Sequence, residues 1–183
     1  MKTLYIDTHL YDIDIILFKD DEIIQRKIIS GEKYNSPYLM PAIKDVCPDK
    51  DFDDIIVING PGSFTGVRLG VTIAKTLAYT MHKKIRAVSY FDLMAFSSDS
   101  GKHIFGISDG NGYFIASYDN YVLQDSMYYL SNKDFDEFVK TNNVETDVSI
   151  NYIEVLNRVS NIKDMNPHAV KPLYIKLIGV EQW

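Results

Sequence analysis

The segment Gly60-Pro61-Gly62-Ser63-Phe64-Thr65 is where residue types and spacing point to chemistry. It follows a short apolar run, Asp54 to Asn59, and precedes a helical pattern from about Gly66 to His82. A glycine turn between a buried strand and a helix leaves the first helical N–H groups facing outward, which suits an anion. A phosphate cradle here would use Ser63 or Thr65 as the cap and Arg68 as the charge partner. The same residues also suit a plain tight turn, in which glycines supply unusual φ and the hydroxyl caps the helix for about 1 kcal/mol. Spacing alone leaves both readings open. The pattern is not a P-loop, because no Lys-Ser/Thr closes it, nor the dinucleotide fingerprint with its downstream acidic residue.

Other chemistries fare worse. A zinc or iron site needs several nitrogen, sulfur or carboxylate ligands at converging spacings. His9, His82, His103 and His168 are scattered with no His-x-x-x-His pair, so no metal is expected. His9 reads as a turn residue and His82 as a polar group at a helix C-terminus, where positive charge is favoured. Ser63 as a hydrolase nucleophile lacks the G-x-S-x-G elbow and an assigned histidine. Of the 13 tyrosines, Tyr113, Tyr118, Tyr121, Tyr128 and Tyr129 could form a stacking platform for RNA, but no basic residues interleave them and sheet packing is the ordinary use.

The elements that must position the glycine turn are legible. Thr3 to Ile6, Ile13 to Phe18 and Ile23 to Ile29 are β-branched and aromatic runs between polar breaks, which predicts three consecutive antiparallel strands. Ser36-Pro37 offers an N-cap and a first-turn proline for a helix with Leu39, Met40, Ile43 and Val46 at helical spacing, and Pro41 within its first turns. Asp54 to Asn59 reads as a strand covered on both faces. A strand at Ile85 to Val88 and a helix from about Ser89 to Phe96 follow. A hairpin then runs through His103 to Ser108 and Tyr113 to Tyr118, its turn Asp109-Gly110-Asn111-Gly112. Beyond Tyr121 the signals weaken: a helix at Lys133 to Lys140, a strand near Val148 to Ile150, a helix at Tyr152 to Arg158 and a final strand at Leu173 to Ile175. The order describes a mixed sheet covered by helices, hence an α/β protein. The polar stretch Ser97 to Gly101 suggests a division into 1–98 and 99–183.

In the helix after the turn, Gly66, Gly70, Ala74 and Ala78 fall four residues apart and form one nearly axial row of small side chains. Exposed glycines inside a helix would cost about 1 kcal/mol each, so the row should be packed, either on the chain's own sheet or on a partner's helix. On the second reading, a bulky charged residue at Gly70 or Ala74 leaves the chain folded and abolishes association.

Bulk properties narrow the field. A chain of 183 residues, 46% hydrophobic, with one cysteine, Cys47, holds a core without metal or disulfide staples and suits a reducing compartment. The opening Met1 to Asp7 meets an acidic residue before any signal-peptide core could form, and no run reaches the roughly 20 apolar residues of a membrane span. A soluble, cytoplasmic protein without membrane contact is expected. A net charge of −6 argues against a large basic surface for nucleic acid; such contact needs a basic partner or a small local patch.

Asn59-Gly60-Pro61-Gly62-Ser63-Phe64-Thr65-Gly66-Val67-Arg68-Leu69-Gly70 closely resembles the G-P-G-S-F-T-G-[VIL]-R-[IVL]-G signature of the TsaB (YeaZ-like) family. Leu4 to Thr8 is similar to that family's opening strand and I-D-T turn, Tyr38 to Ile43 to its L-L-P helix, Val88 to Leu93 to its V-S-[ST]-L segment, and Lys171 to Lys176 to its tail. Tyr121 to Asn166 matches poorly. The resemblance implies an actin-like ASKHA (ribonuclease H-like) fold of mixed sheets covered by helices, in two lobes with the second reduced. It implies a non-catalytic accessory subunit that docks on a TsaD-like catalytic subunit, with a TsaE-like ATPase, for threonylcarbamoyl modification of tRNA adenosine. The tRNA is then met indirectly, through the complex. Family interfaces use the helix after the signature and the one before it, placing Gly66, Gly70, Ala74, Ala78 and Leu39 at a partner surface that can also serve a homodimer.

The alternative is a nucleotide-binding, ATPase-like protein of the same fold. Asp7, Thr8 and Asp109 stand where such folds place phosphate-binding turns and metal-arranging aspartates, as a vestigial site. Thr8-His9-Leu10-Tyr11 lacks glycine there, so ATP or ADP is expected only in the complex, with no cofactor of the chain's own. Asn35 replaces a histidine often present in relatives, and Gly110-Asn111 an arginine.

Overall fold

The computed structural model describes residues 1–10, 12–30 and 36–175. Tyr11 of the Thr8-to-Tyr11 turn, Asn35 and Lys176 lie outside the described residues. Five strands form the first sheet: β1 (Lys2–Asp7), β2 (Ile13–Lys19), β3 (Glu22–Ile29), β4 (Asp54–Ile58) and β5 (Lys84–Val88), in the order β3-β2-β1-β4-β5. β1, β2 and β3 pair antiparallel, as their β-branched runs and short polar breaks predict, while β1, β4 and β5 are parallel. Parallel strands need crossovers, and the helices α1 (Ser36–Val46) and α2 (Phe64–Thr80) supply them.

The period of two along each strand sends alternate residues to opposite faces. Leu4 and Ile6 of β1 pack with Leu39 and Ile43 of α1 and Val67 and Val71 of α2. Tyr5, Ile16 and Ile58 face the other way, against α3 (Tyr90–Ser97) and the later helix Tyr152–Ser160. With both faces covered, β4 is buried at every position. The edge strand β3 is largely exposed.

The second sheet holds β6 (Lys102–Ser108), β7 (Gly112–Asp119), β8 (Val122–Leu123) and β9 (Tyr128–Ser131), with β7 pairing the other three. α3 lies against both sheets: Leu93 and Phe96 join the first, Phe91, Met94 and Ala95 the second. That double burial explains why its sequence, Tyr-Phe-Asp-Leu-Met-Ala-Phe-Ser, is apolar nearly all round. Two further helices follow, α4 (Asn132–Phe138) and α5 (Tyr152–Ser160). The polar stretch around residue 98 lies between the two sheets in the chain, yet α5 crosses back to pack Val155, Leu156 and Val159 on the first.

Several local expectations need correction. α2 starts at Phe64 and ends at Thr80, because Ser63 already caps it by accepting the Gly66 N–H. α1 includes Ser36 itself, and Met40 is exposed while Ala42 is buried. Val148 to Ile150 is not a strand; the pairing is made earlier, by Glu145 bridging Phe105. Leu173 to Ile175 is not a strand either. Pro172 has no N–H to extend a ladder, and the segment is held by Leu173 N–H donating to the Asn59 carbonyl at 2.7 Å. α4 stops short of Lys140, and β8, β9 and the 3₁₀ turn Pro167–Ala169 have no clear local signal.

Candidate functional site

The glycine turn closes onto the end of β1. Ser63 N–H donates to the His9 carbonyl at 2.6 Å, Thr8 Oγ1 donates to the Gly66 carbonyl at 2.7 Å, and Gly66 N–H donates to Ser63 Oγ at 3.3 Å. Val67 N–H reaches the Ser63 carbonyl at 2.9 Å. The donors of Ser63, Gly66 and Val67 are therefore already taken, which is the geometry of the capped turn. Gly62, at φ +158°, lies so near that a Cβ would stand 2.0 Å from the His9 carbonyl oxygen. At Gly66 it would stand 2.1 Å from that of Thr8, and at Gly70 2.4 Å from Thr8 Oγ1. Gly60, at φ +120°, backs onto Leu173, and Pro61 is buried between the two glycines.

The small-residue row is thus filled by the chain itself. Gly66, Gly70, Ala74 and Ala78 are buried, and Leu39 is fully so. A bulky charged residue at Gly70 or Ala74 would collide with Thr8 or enter the core, so such a variant loses its fold before it loses a partner. Exposure begins beside the row: Tyr38 and Met40 on α1, and Thr72 and Thr76 on α2, with Leu69 and Ile73 half-buried.

Asp7 sits at 7% exposure beneath this turn. One carboxylate oxygen accepts the His9 N–H at 2.9 Å and faces His9 Nδ1 at 2.7 Å; the other accepts the Tyr5 hydroxyl at 3.1 Å. Burial alone would raise its pKa, but the charge and hydrogen bonds of His9, with the Tyr5 bond, hold it below the usual carboxylate value. His9 is no loose turn residue. It is 5% exposed, stacks on Tyr90 at 4.0 Å between centroids, and leaves Nε2 buried without a hydrogen-bond partner. Burial, and then the Asp7 charge, push the Tyr90 hydroxyl up to about 12. A partial signal for this cluster is present in the sequence, since Tyr5 and Asp7 share one face of β1 and His9 follows two residues on, in the bend after the strand.

Thr8 is wholly buried under α2, serving as a wedge. Asp109 follows β6 on the second sheet, where its Oδ1 accepts from Asn111 N–H at 3.0 Å and from the Tyr129 hydroxyl at 2.7 Å, bracing the hairpin turn. Asp7 and Asp109 thus belong to different sheets, each engaged by its own neighbours. Arg68 does not turn toward the glycines. Its guanidinium lies 3.6 Å from the Phe64 ring centroid, and its Nε donates to the Tyr174 hydroxyl at 2.6 Å. Phe64 and Tyr174 are exposed, so this pair of rings around a cation forms a surface feature beside the turn, with Thr65 also exposed.

A family profile described as TsaD, tRNA N6-adenosine threonylcarbamoyltransferase, matches residues 34–165. The chain belongs to the TsaD family. Within the TsaD family it is TsaB/YeaZ-like: it is 39% identical over 112 residues to the tRNA threonylcarbamoyladenosine biosynthesis protein TsaB of Bacillus subtilis. That alignment covers 58% of this chain and 48% of the relative, so the match spans about half of the relative's length. Among solved structures, YeaZ from Pseudomonas aeruginosa superposes with a TM-score of 0.75 at 15% identity, over 94% of this chain and 100% of that one. A candidate N-acetylmannosamine kinase from Listeria monocytogenes gives 0.50 at 14% identity, over 68% of this chain and 49% of that one. These likenesses, with the two sheets and their helices, make this TsaD-family chain an actin-like ASKHA fold.

Proposed function

We propose that the chain is a non-catalytic partner subunit that docks on a TsaD-like catalytic subunit and supports threonylcarbamoyl modification of tRNA adenosine. The observation that carries this is the closed signature turn. Ser63 N–H is bonded to the His9 carbonyl beyond β1, Gly66 N–H is bonded to Ser63 Oγ, and Thr8 fills the space beside them. A turn tied to the residues after β1 in this way serves to fix the start of α2 rather than to bind a nucleotide. The family match and the resemblance to TsaB supply the reaction the assembly performs.

Docking then falls to the exposed side of α1 and α2. Gly66, Gly70, Ala74, Ala78 and Leu39 act from beneath, setting how the helices are presented, and the contact is made by Tyr38, Met40, Thr72 and Thr76. The same surface can serve a homodimer. Residues 1–98 form the lobe that docks, and 99–183 the smaller one. A TsaE-like ATPase completes the assembly, ATP or ADP binds only at a junction with the partner, and the setting is the cytoplasm. Among the described residues no helix is long and apolar enough to cross a membrane.

Reconstitution tests the reading: the TsaD-like and TsaE-like subunits, the adenylate-forming enzyme and tRNA are assayed with and without this chain. Modification that requires the chain is expected, with Met40→Asp co-purifying with the catalytic subunit less well than wild type while keeping the wild-type unfolding transition. Modification that proceeds equally without the chain overturns the reading.

A further inference from the structure

The far end of α2 differs in kind from its start. His82 takes φ +53°, a conformation normally given to glycine or asparagine at a helix stop. Its N–H reaches the Tyr79 carbonyl at 3.4 Å, and Lys83 N–H reaches that of Ala78 at 2.9 Å. These bonds take up carbonyls that would otherwise repel an anion. Opposite lies the segment Asp164 to His168, pinned where Met165 N–H donates to the Ile85 carbonyl at 2.8 Å and where Arg86 Nε donates to that of Ile162 at 2.6 Å.

Between the two walls lies an open cleft of about 480 Å³, lined among others by Tyr79, His82, Lys83, Lys84, Asp164 and His168. Two lysines and two imidazoles face one carboxylate, in a chain whose net charge is −6. Neither lysine joins an ion pair among the described residues, and the Lys83 ammonium lies 5.8 Å from the centroid of the Phe52 ring. Tyr79 is 58% exposed and meets the His168 ring edge-on at 4.9 Å, which leaves an aromatic face open to stacking. The helix dipole accounts for a cation at this end, but not for an exposed ring or for an opposing wall.

We infer that this cleft docks single-stranded or looped RNA, with Lys83 and Lys84 on backbone phosphates and Tyr79 against a base. The choice of RNA rests on the reading of the chain as part of a tRNA-modifying assembly. Asp164 adds an acceptor for a ribose 2′-hydroxyl, which DNA lacks.

The test is fluorescence anisotropy of the full chain with labelled unmodified tRNA across a salt series, for wild type, Lys83→Gln/Lys84→Gln and Tyr79→Ala, with circular dichroism to verify folding. The double variant should weaken binding at least tenfold and lower the salt slope by about 2, roughly one for each lysine that no longer meets a phosphate. Tyr79→Ala should weaken binding by about tenfold, and a DNA strand of the same sequence should bind less well than the RNA. Wild-type affinity and slope in the double variant would overturn the inference, as would absence of salt-dependent binding by wild type. Full competition by inorganic phosphate would make the cleft a small-anion pocket instead. A double variant that no longer co-purifies with the catalytic subunit but binds RNA normally would make it a protein surface; either result sinks the proposal. Modification that needs the chain while the double variant binds RNA normally removes the cleft alone. RNA binding abolished in that variant while modification proceeds without the chain removes the accessory reading alone.

Discussion

The two ends of α2 are built on opposite principles. At its start, a sequence that reads as an anion cradle is sealed: Ser63, Gly66 and Val67 spend their N–H groups on the chain, and Thr8 fills the space that glycines leave. At its end, a stretch with no motif at all leaves two lysines, two imidazoles and an exposed tyrosine around an open cleft. A glycine in a signature marks a close approach, and the approaching group here is the protein's own backbone. Recognisable spacing therefore locates the rigid part of this molecule, while accessible charge locates the part free to meet something else.

The sharpest way to break this contrast is to force side chains into the sealed end. Gly66→Ala puts a Cβ 2.1 Å from a backbone carbonyl that cannot rotate away. Urea unfolding should show a loss of about 3 kcal/mol or more. Gly70→Ala meets only the Thr8 side chain. Its cost should be smaller, and it should be partly recovered in Thr8→Ala/Gly70→Ala, less the Thr8 bond to Gly66. An unperturbed midpoint in Gly66→Ala would mean that the turn is looser than described and could still admit a ligand.

The open end depends on a buried ion pair. Arg86 pairs with Asp54 inside the first sheet and carries the segment 160–162 through bonds to the Ser160 and Ile162 carbonyls. Burial raises the Asp54 pKa while Arg86 opposes that, and one Asp54 oxygen has no hydrogen-bond partner. Arg86→Met should cost about 3 kcal/mol, because it strands a buried carboxylate. It should also loosen the cleft wall, read as faster amide exchange at Met165, whose N–H is bonded to Ile85. Unchanged exchange there would detach the wall from the ion pair.

Much of this fold is legible because each signal is local and repeated. β1 to β4 are apolar, β-branched or aromatic runs between polar breaks, α2 repeats its small residues every four positions, and the hairpin of β6 and β7 has a glycine-asparagine turn. α3 is equally plain in the sequence, but its contact with both sheets shows only in that it lacks a polar face. Sequence reasoning fails where long-range pairing decides. A strand is expected near Val148 to Ile150, but the only isolated bridge among the described residues is made earlier, by Glu145 to Phe105, and Val148 and Ile150 pack as side chains instead. At the site, the turn is evident but not its closure, because no spacing reveals that Thr8 and Gly66 meet across 58 residues. The cleft is invisible for the same reason: Lys84 and His168 come together only when the chain returns after α5.

A milder probe of the sealed end is acid. Asp7 has a folded-state pKa below its ordinary value of 3.8, so its ionised form adds stability above that pH. This contribution is lost as pH falls through the folded value. The stability gap between wild type and Asp7→Asn should therefore be widest near neutrality and should narrow below about pH 4. A gap that stays constant down to about pH 2.5 would show that the carboxylate charge is not what ties β1 to His9.

The smallest effect is the most discriminating about chemistry. If Ser63 only caps α2, Ser63→Ala should cost about 1 kcal/mol and Ser63→Gly only a few tenths, because glycine lets water reach the free N–H groups. A hydroxyl acting on a substrate gives the opposite ranking of consequences: both variants lose it equally, and modification falls alike whatever the stability. Thermal unfolding beside reconstituted modification separates these cases. Unequal stability with unchanged modification fits a turn whose hydroxyl serves the Gly66 N–H alone.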